Sequence, residues 1–219
     1  MRVLAEASID CDVIPYDRLL ENDPLGAGAR VENGRLFLGP GEAVGSTDSG
    51  RESYRALVLP WVQAIPAGVL SRLVDLAGEG LPVYFLKSWP ERPCSGGGEV
   101  FQEAVERLKN LSVLCNCSEL GRRLRGAGLR DFLPDAAVPL LRHLHYRKDG
   151  TDIYFLFNED VHRTIDTWVT LHATGTPECW DPLTGRQEAA VYEGFEKQDQ
   201  GCPEPAPGTA GIPPSRYRP

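Results

Sequence analysis

"YRALVLPWVQAIPAGVLSRLVDLAGEGLPVYFLK" (residues 54–87) is the stretch whose reading decides the fold. It opens with an apolar run closed by Pro60, which suits a buried strand. Pro66 suits a first helical position, where its missing N–H would have had no intrahelical partner. Leu70, Leu73, Val74 and Ala77 then recur at helical spacing, and Gly78 or Gly80 can close the helix. "PVYFLK" (82–87) is a second apolar run. Strand, helix and strand with short joins predict parallel pairing across a crossover helix.

The same grammar extends in both directions. "CDVIPY" (11–16) reads as a short strand and "LSVLC" (111–115) as another. Gly98 to Lys109 repeats the helical pattern through Phe101, Ala104, Val105 and Leu108. Ser118 is placed to cap a third helix carrying Leu120 and Leu124. Residues 1–136 are therefore expected to form an α/β domain, a flavodoxin-like parallel sheet with helices on both faces.

At about Phe132 the pattern changes. "DAAVPLLRHLHYRKDGTDIYFLFNED" holds two apolar-rich runs around Asp149-Gly150, a strong hairpin signal. Ile165, Thr167, Val169 and Leu171 alternate with Asp166, Trp168, Thr170 and His172, the period of a strand with unlike faces. Residues 137–197 thus predict a partial antiparallel β-sandwich. The Pro- and Gly-rich residues 198–219 have little to bury and are expected to be disordered. Both ends read as incomplete. "MRVLAEAS" looks like the tail of a helix where a first strand is due, and the β region stops after few strands for a sandwich. The expectation is a fragment of a larger protein, or the product of a misread or truncated gene.

Composition narrows the partners. The 219 residues carry a formal net charge of −8, which repels phosphate backbones and anionic lipid, so neither nucleic acid nor membrane is expected. Arg122, Arg123 and Arg125 read as a solvated helix face. No stretch approaches the roughly 20 apolar residues of a membrane span, and the first residues lack a signal-peptide pattern. Cys11, Cys94, Cys115, Cys117, Cys179 and Cys202 show no disulfide-like spacing, which favours free thiols and a cytoplasmic location.

Each candidate chemistry meets a plainer reading. Cys115 and Cys117 lack the flanking glycines of an amidotransferase elbow, "YFLKSWP" offers no nucleophile in that pattern, and every His lies in the β region. "PCSGGGEVF" (93–101) could cradle an anion but fits neither phosphate-binding fingerprint, so it reads as a surface connection. His143 with His145, and Cys115 with Cys117, lack zinc spacing. Asn158-Glu159-Asp160 follows a strand directly and reads as a turn. No catalytic residue, metal or cofactor is therefore assigned. "ECWDPLTGRQ" (178–187) places Trp180 beside Asp181, the ring and carboxylate of a sugar subsite, and these two are the candidate substrate-binding residues. The competing reading is a turn opened by Asp181-Pro182, with Gly185 taking positive φ.

Several stretches share one order and spacing: "VIPYDRLLEN", "GRLFLG", the 54–80 segment, "LRHLHYRKDGTDIYFLFNED" and "CWDPLTGRQ". Together they resemble the region downstream of the catalytic barrel in large bacterial glycosyl hydrolases of the α-L-rhamnosidase type, over about residues 5–195. The resemblance implies a non-catalytic, amidotransferase-like α/β domain followed by a β-sandwich. It implies that the catalytic carboxylates lie in a barrel this chain does not contain. The expected partners are that barrel and carbohydrate. Two rivals stand beside this reading: an independent small-molecule-binding protein of flavodoxin-like or amidotransferase-like type, and a carbohydrate-binding module with Trp168 and Trp180 as its platform.

Overall fold

The structure, a computed structural model, describes residues 2–20, 28–38, 52–94, 98–130, 132–193 and 208–211. Four helices lie in this set: α1 (Arg2–Glu6), α2 (Ala67–Gly78), α3 (Gly98–Leu111) and α4 (Cys117–Gly126). The strands before the sequence change are β1 (Arg30–Glu32), β2 (Arg35–Leu38), β3 (Glu52–Tyr54), β4 (Leu57–Leu59), β5 (Ala64–Ile65), β6 (Val83–Leu86), β7 (Arg92–Pro93) and β8 (Val113–Cys115). After it come β9 (Phe132–Pro134), β10 (Leu141–Lys148), β11 (Thr151–Asn158), β12 (Trp168–Leu171), β13 (Glu178–Trp180), β14 (Gln187–Ala189), β15 (Val191–Glu193) and β16 (Gly208–Gly211). The chain divides into two compact units, residues 12–123 with 147–151, and residues 1–11, 124–146 and 152–219. The sequence alone puts the change of domain at residues 136–137.

The first unit is built on a parallel sheet of order β4-β6-β8. Leu57 and Leu59 stand opposite Val83 and Phe85, and Leu86 stands opposite Cys115. Consecutive strands add in one direction, and right-handed crossovers then put both connecting helices on the same face. Val83 and Phe85 are buried there in one cluster with Leu70, Leu73 and Val74 of α2 and Phe101, Val105 and Leu108 of α3. Each fully buried Leu, Val or Phe of such a cluster stabilises by about 1.5–3 kcal/mol relative to an exposed one. Tyr84 alternates to the opposite face, where Arg123 of α4 acts electrostatically on both Tyr84 and Cys115. The antiparallel sheet β1-β2-β3 adds Leu36 and Leu38 to the same cluster. Arg72 of α2 donates to the carbonyls of Leu19 (3.3 Å) and Ala29.

Chain punctuation explains the helix ends. Gly80 takes φ +97°, its N–H bonds the carbonyl of Ala77, and Leu81 N–H reaches back to Leu76. That paired closure is the Schellman motif. Gly128 at φ +69°, with Leu129 N–H on the Leu124 carbonyl, ends α4 in the same way. The cap of α4 is Asn116 rather than the expected Ser118. Its carbonyl takes the N–H groups of Glu119 and Leu120, and the Glu119 carboxylate accepts its N–H at 3.4 Å. The expected strand at 11–16 is also corrected. Those residues are irregular up to a 3-10 turn at Tyr16–Leu19, since Pro15 offers no N–H to a ladder and instead starts the turn.

β10 and β11 form the hairpin expected at Asp149-Gly150, whose φ values of +50° and +79° fit a type I′ turn. β12 pairs antiparallel with β9 and with β16, and β15 pairs with β16, giving the order β15-β16-β12-β9. β13 and β14 form a separate antiparallel pair. Phe132, Leu141 and Val169 are the buried centre, with Ile165, Tyr154, Leu156 and Leu171 packed on it. Regular pairing at 165–172 is confined to Trp168–Leu171, while Ile165 contributes by packing alone. The tail expected to be disordered contributes β16: Gly208–Gly211 pairs through backbone groups, which needs no side chains to bury. The rest of 198–219, Cys202 included, lies outside the described residues, as do Ser95 to Gly97 of the Gly-rich loop. Over the described residues the chain is thus a mixed α/β protein with the three-stranded parallel sheet, a parallel pair β5-β7 and several antiparallel sheets.

Candidate functional site at the end of the parallel sheet

In parallel sheets the carboxyl ends of the strands are where ligands sit. Here β6 runs straight into an unusual turn. Lys87 has φ +72°, a conformation that a long side chain without a local hydrogen-bonding group rarely adopts. Its own N–H bonds the Cys115 carbonyl at 3.0 Å, so the parallel ladder continues up to it. The next N–H, that of Ser88, turns back onto the Leu86 carbonyl at 3.0 Å. A bond from i+2 to i around a residue of positive φ is the rare and strained γ-turn. Such strain persists only where neighbours enforce it, and it clusters at ligand clamps and active sites.

Lys87 Nζ lies 6.0 Å from the ring centre of Trp61, which follows the adjacent strand β4 and is 55% exposed. Among the described residues Lys87 has no carboxylate partner. The Ser88 hydroxyl oxygen is buried and has no hydrogen-bond partner among the described residues. Trp89 donates from its indole nitrogen to Ser112 Oγ at 3.2 Å, which anchors the far side of the turn. Lys109 stands 6.0 Å over the Trp89 ring, but it is neutralised by Glu106 at 2.6 Å. No sequence signal marks Lys87, because positive φ at a lysine is imposed by packing and not by propensity. Read as sequence, "YFLKSWP" lacks a nucleophile motif, and no residue in it stands out.

The pair designated from the sequence lies elsewhere. Trp180, 67% exposed, donates to Glu178 Oε2 at 3.1 Å on its own side of β13. Asp181 is committed to the turn. Its Oδ1 accepts Leu183 N–H at 2.9 Å, its Oδ2 accepts the Thr184 hydroxyl at 2.7 Å, and its N–H bonds the Arg186 carbonyl. The Thr184 hydroxyl, and after it the Leu183 N–H, hold the Asp181 carboxyl below its ordinary value. Gly185, at φ +71°, closes the loop. Trp168, 40% exposed, belongs to a different sheet, and no ring contact joins it to Trp180 among the described residues.

The remaining candidates have structural partners. Cys115 is buried, and burial pushes its thiol up, away from the thiolate a nucleophile needs. His143 stacks on Phe132 at 4.5 Å. His145 stacks on Tyr154 at 4.0 Å, pairs with Asp152 at 3.0 Å, and donates its backbone N–H to Asp10. That His–carboxylate pair arises because the hairpin sets His145 opposite Tyr154 and diagonal to Asp152. Glu159 is paired with Arg142 at 2.6 Å, and Asp160 accepts the His162 N–H, completing the turn after β11. Arg123 pairs with Glu119 on the open face of α4. Among the described residues no group of three or more His, Cys, Asp or Glu is placed to hold a metal, and no helix is long and apolar enough to cross a membrane. A concavity of about 460 Å³ is lined by Asp12, Ile14, Arg18, Leu38 and Tyr54, with the Tyr54 hydroxyl donating to Asp12 at 3.1 Å.

The fold and site thus define a mixed α/β protein with a strained, aromatic-flanked lysine at the end of its parallel sheet. No protein-family model, curated protein or solved structure matches the chain.

Proposed function

We infer that this chain is a non-catalytic accessory region of a carbohydrate-active glycoside hydrolase of the α-L-rhamnosidase type. Its flavodoxin-like or amidotransferase-like α/β part and partial sandwich would assemble around a catalytic barrel. The observation that carries the non-catalytic reading is the elbow itself. Where an amidotransferase-like sheet would present a nucleophile, this one presents Lys87. All four histidines, His143, His145, His162 and His172, fall outside residues 12–123, so no histidine base stands ready within that stretch. The order of the resembling stretches supplies the link to the sugar enzymes. Free thiols fit a cytoplasmic home.

The test is turnover of an aryl α-L-rhamnoside by the isolated chain. None is expected, and enzyme-dependent release of the aryl group would overturn the reading. Genomic sequence upstream should encode a barrel; an unrelated gene there would sink the link to the hydrolase. The strain at Lys87 favours one alternative, a small-molecule-binding protein of the same α/β type.

A further inference from the structure

We propose that the outer face of the β10–β11 hairpin is a dimer interface, and that its partner is the same face of a second copy of this chain. The face is made by Leu144, Tyr146, Ile153, Phe155 and Phe157, and the proposal stands whether or not a catalytic barrel accompanies this chain.

β11 is apolar on both sides. Ile153, Tyr154, Phe155, Leu156 and Phe157 are an unbroken run of large aliphatic and aromatic residues, the pattern of a strand covered on two faces rather than one. Alternation sends Tyr154 and Leu156 inward, where they pack on the cluster of Phe132, Leu141 and Val169. Ile153, Phe155 and Phe157 point the other way, and none of them belongs to that cluster. The hairpin that sets His145 opposite Tyr154 also sets Leu144 opposite Phe155, Tyr146 opposite Ile153 and Arg142 opposite Phe157. Leu144, Tyr146, Phe155 and Phe157 are 45%, 47%, 48% and 56% exposed, so an apolar cross-strand block lies open on the outer face.

Area and charge choose the occupant. The open parts of those four side chains amount to about 400 Å² per chain. A standard interface takes about 800 Å² from each partner, of which rather more than half is apolar. The block therefore supplies nearly all the apolar area that one side of a stable dimer needs. Its cross-strand pairs hold no acidic residue, and their one charged group, Arg142, is paired with Glu159 at 2.6 Å. A charged partner finds nothing there to pair with. What fits is another uncharged, apolar sheet face, and a copy of the chain brings one. Two chains of net charge −8 repel each other elsewhere, and contact through an acid-free face keeps that repulsion small. A two-fold axis lays the Leu144–Phe155 pair of one copy over that of the other, with the two sheets about 10 Å apart and their side chains interdigitated.

The mass of the full chain in solution, read by light scattering and sedimentation velocity across a dilution series, tests this. The expected result is a particle of two chains that separates into single chains on dilution. Phe155→Lys puts a charge at the centre of the face and should weaken the dimer by about thirtyfold or more, the worth of a hot-spot side chain. Phe157→Ser should weaken it as well, and it stands in should the lysine variant fold poorly, which far-UV circular dichroism reports. Trp180→Ala is the control. Trp180 is more exposed, at 67%, but lies on the separate β13–β14 pair, so its truncation should leave the dimer intact. The proposal falls if the parent chain stays monomeric at every concentration, leaving the face to a different protein, or if it forms open-ended aggregates. It falls equally if the Phe155 and Phe157 variants dimerise as tightly as the parent, or if Trp180→Ala dissociates the dimer as they do. None of these outcomes bears on rhamnoside turnover, so the dimer and the functional reading fail separately.

Discussion

Asp181 and Lys87 show how differently two charged residues are used. Asp181 turns both oxygens inward on its own loop, bonding Leu183 and Thr184. Its carboxyl is held below the ordinary value, first by the Thr184 hydroxyl. A depressed carboxyl contributes stability that is present above its unfolded value and is lost as pH falls through the folded one. Acid titration followed by NMR should therefore move the Leu183 and Thr184 amides together, with a midpoint below the usual aspartate range. A midpoint at or above that range would refute the turn's claim on the carboxylate. Lys87 does the reverse, holding a strained backbone at φ +72° with its ammonium 6.0 Å from the Trp61 ring centre. The turn at Asp181 was legible because Asp-Pro and Thr-Gly carry local backbone preferences. The elbow at Lys87 was not, because only the pairing of β6 with β8 forces it.

At the scale of elements, the two glycines at the end of α2 separate two kinds of requirement. The sequence allows either Gly78 or Gly80 as the stop, and the structure chooses Gly80, at φ +97° in the Schellman closure. A Cβ at either glycine meets no atom within 4 Å, so sterics with neighbours do not decide between them. Gly80→Ala should cost about 1–2 kcal/mol from backbone strain alone. Gly78→Ala, at a right-handed helical position, should be neutral or stabilise by about 0.5–1 kcal/mol. Urea unfolding of both variants checks this, and equal effects would contradict the assigned closure. Helical periodicity exposed α2, α3 and α4 because each buries one stripe, as with Leu70, Leu73 and Val74. The misplaced pieces are short. Residues 11–16 alternate well enough to read as a strand, but a strand needs a neighbour, and Pro15 withholds one of the donors.

Across the whole molecule the apolar core is unevenly shared. The cluster around Val83 and Phe85 draws on β1-β2, β4, β6, α2 and α3, whereas Phe132, Leu141 and Val169 form the small buried centre of the β-rich unit. Protection from hydrogen exchange follows such burial. The slowest amides should lie in Val83–Leu86 and α2, and those of β13 and β14, whose residues are mostly exposed, should exchange early. Exchange read by mass spectrometry tests this, and equal protection across the two sets would contradict it. By itself the sequence determined the strand–helix–strand unit at 54–87, the amphipathic helices and the Asp-Gly hairpin, because each is written in the spacing of neighbouring residues. Only the tertiary structure decided that Gly208–Gly211 joins a sheet and that Lys87 is held in a strained turn beside Trp61. Those depend on which distant segments pair, and pairing leaves no local pattern in the chain.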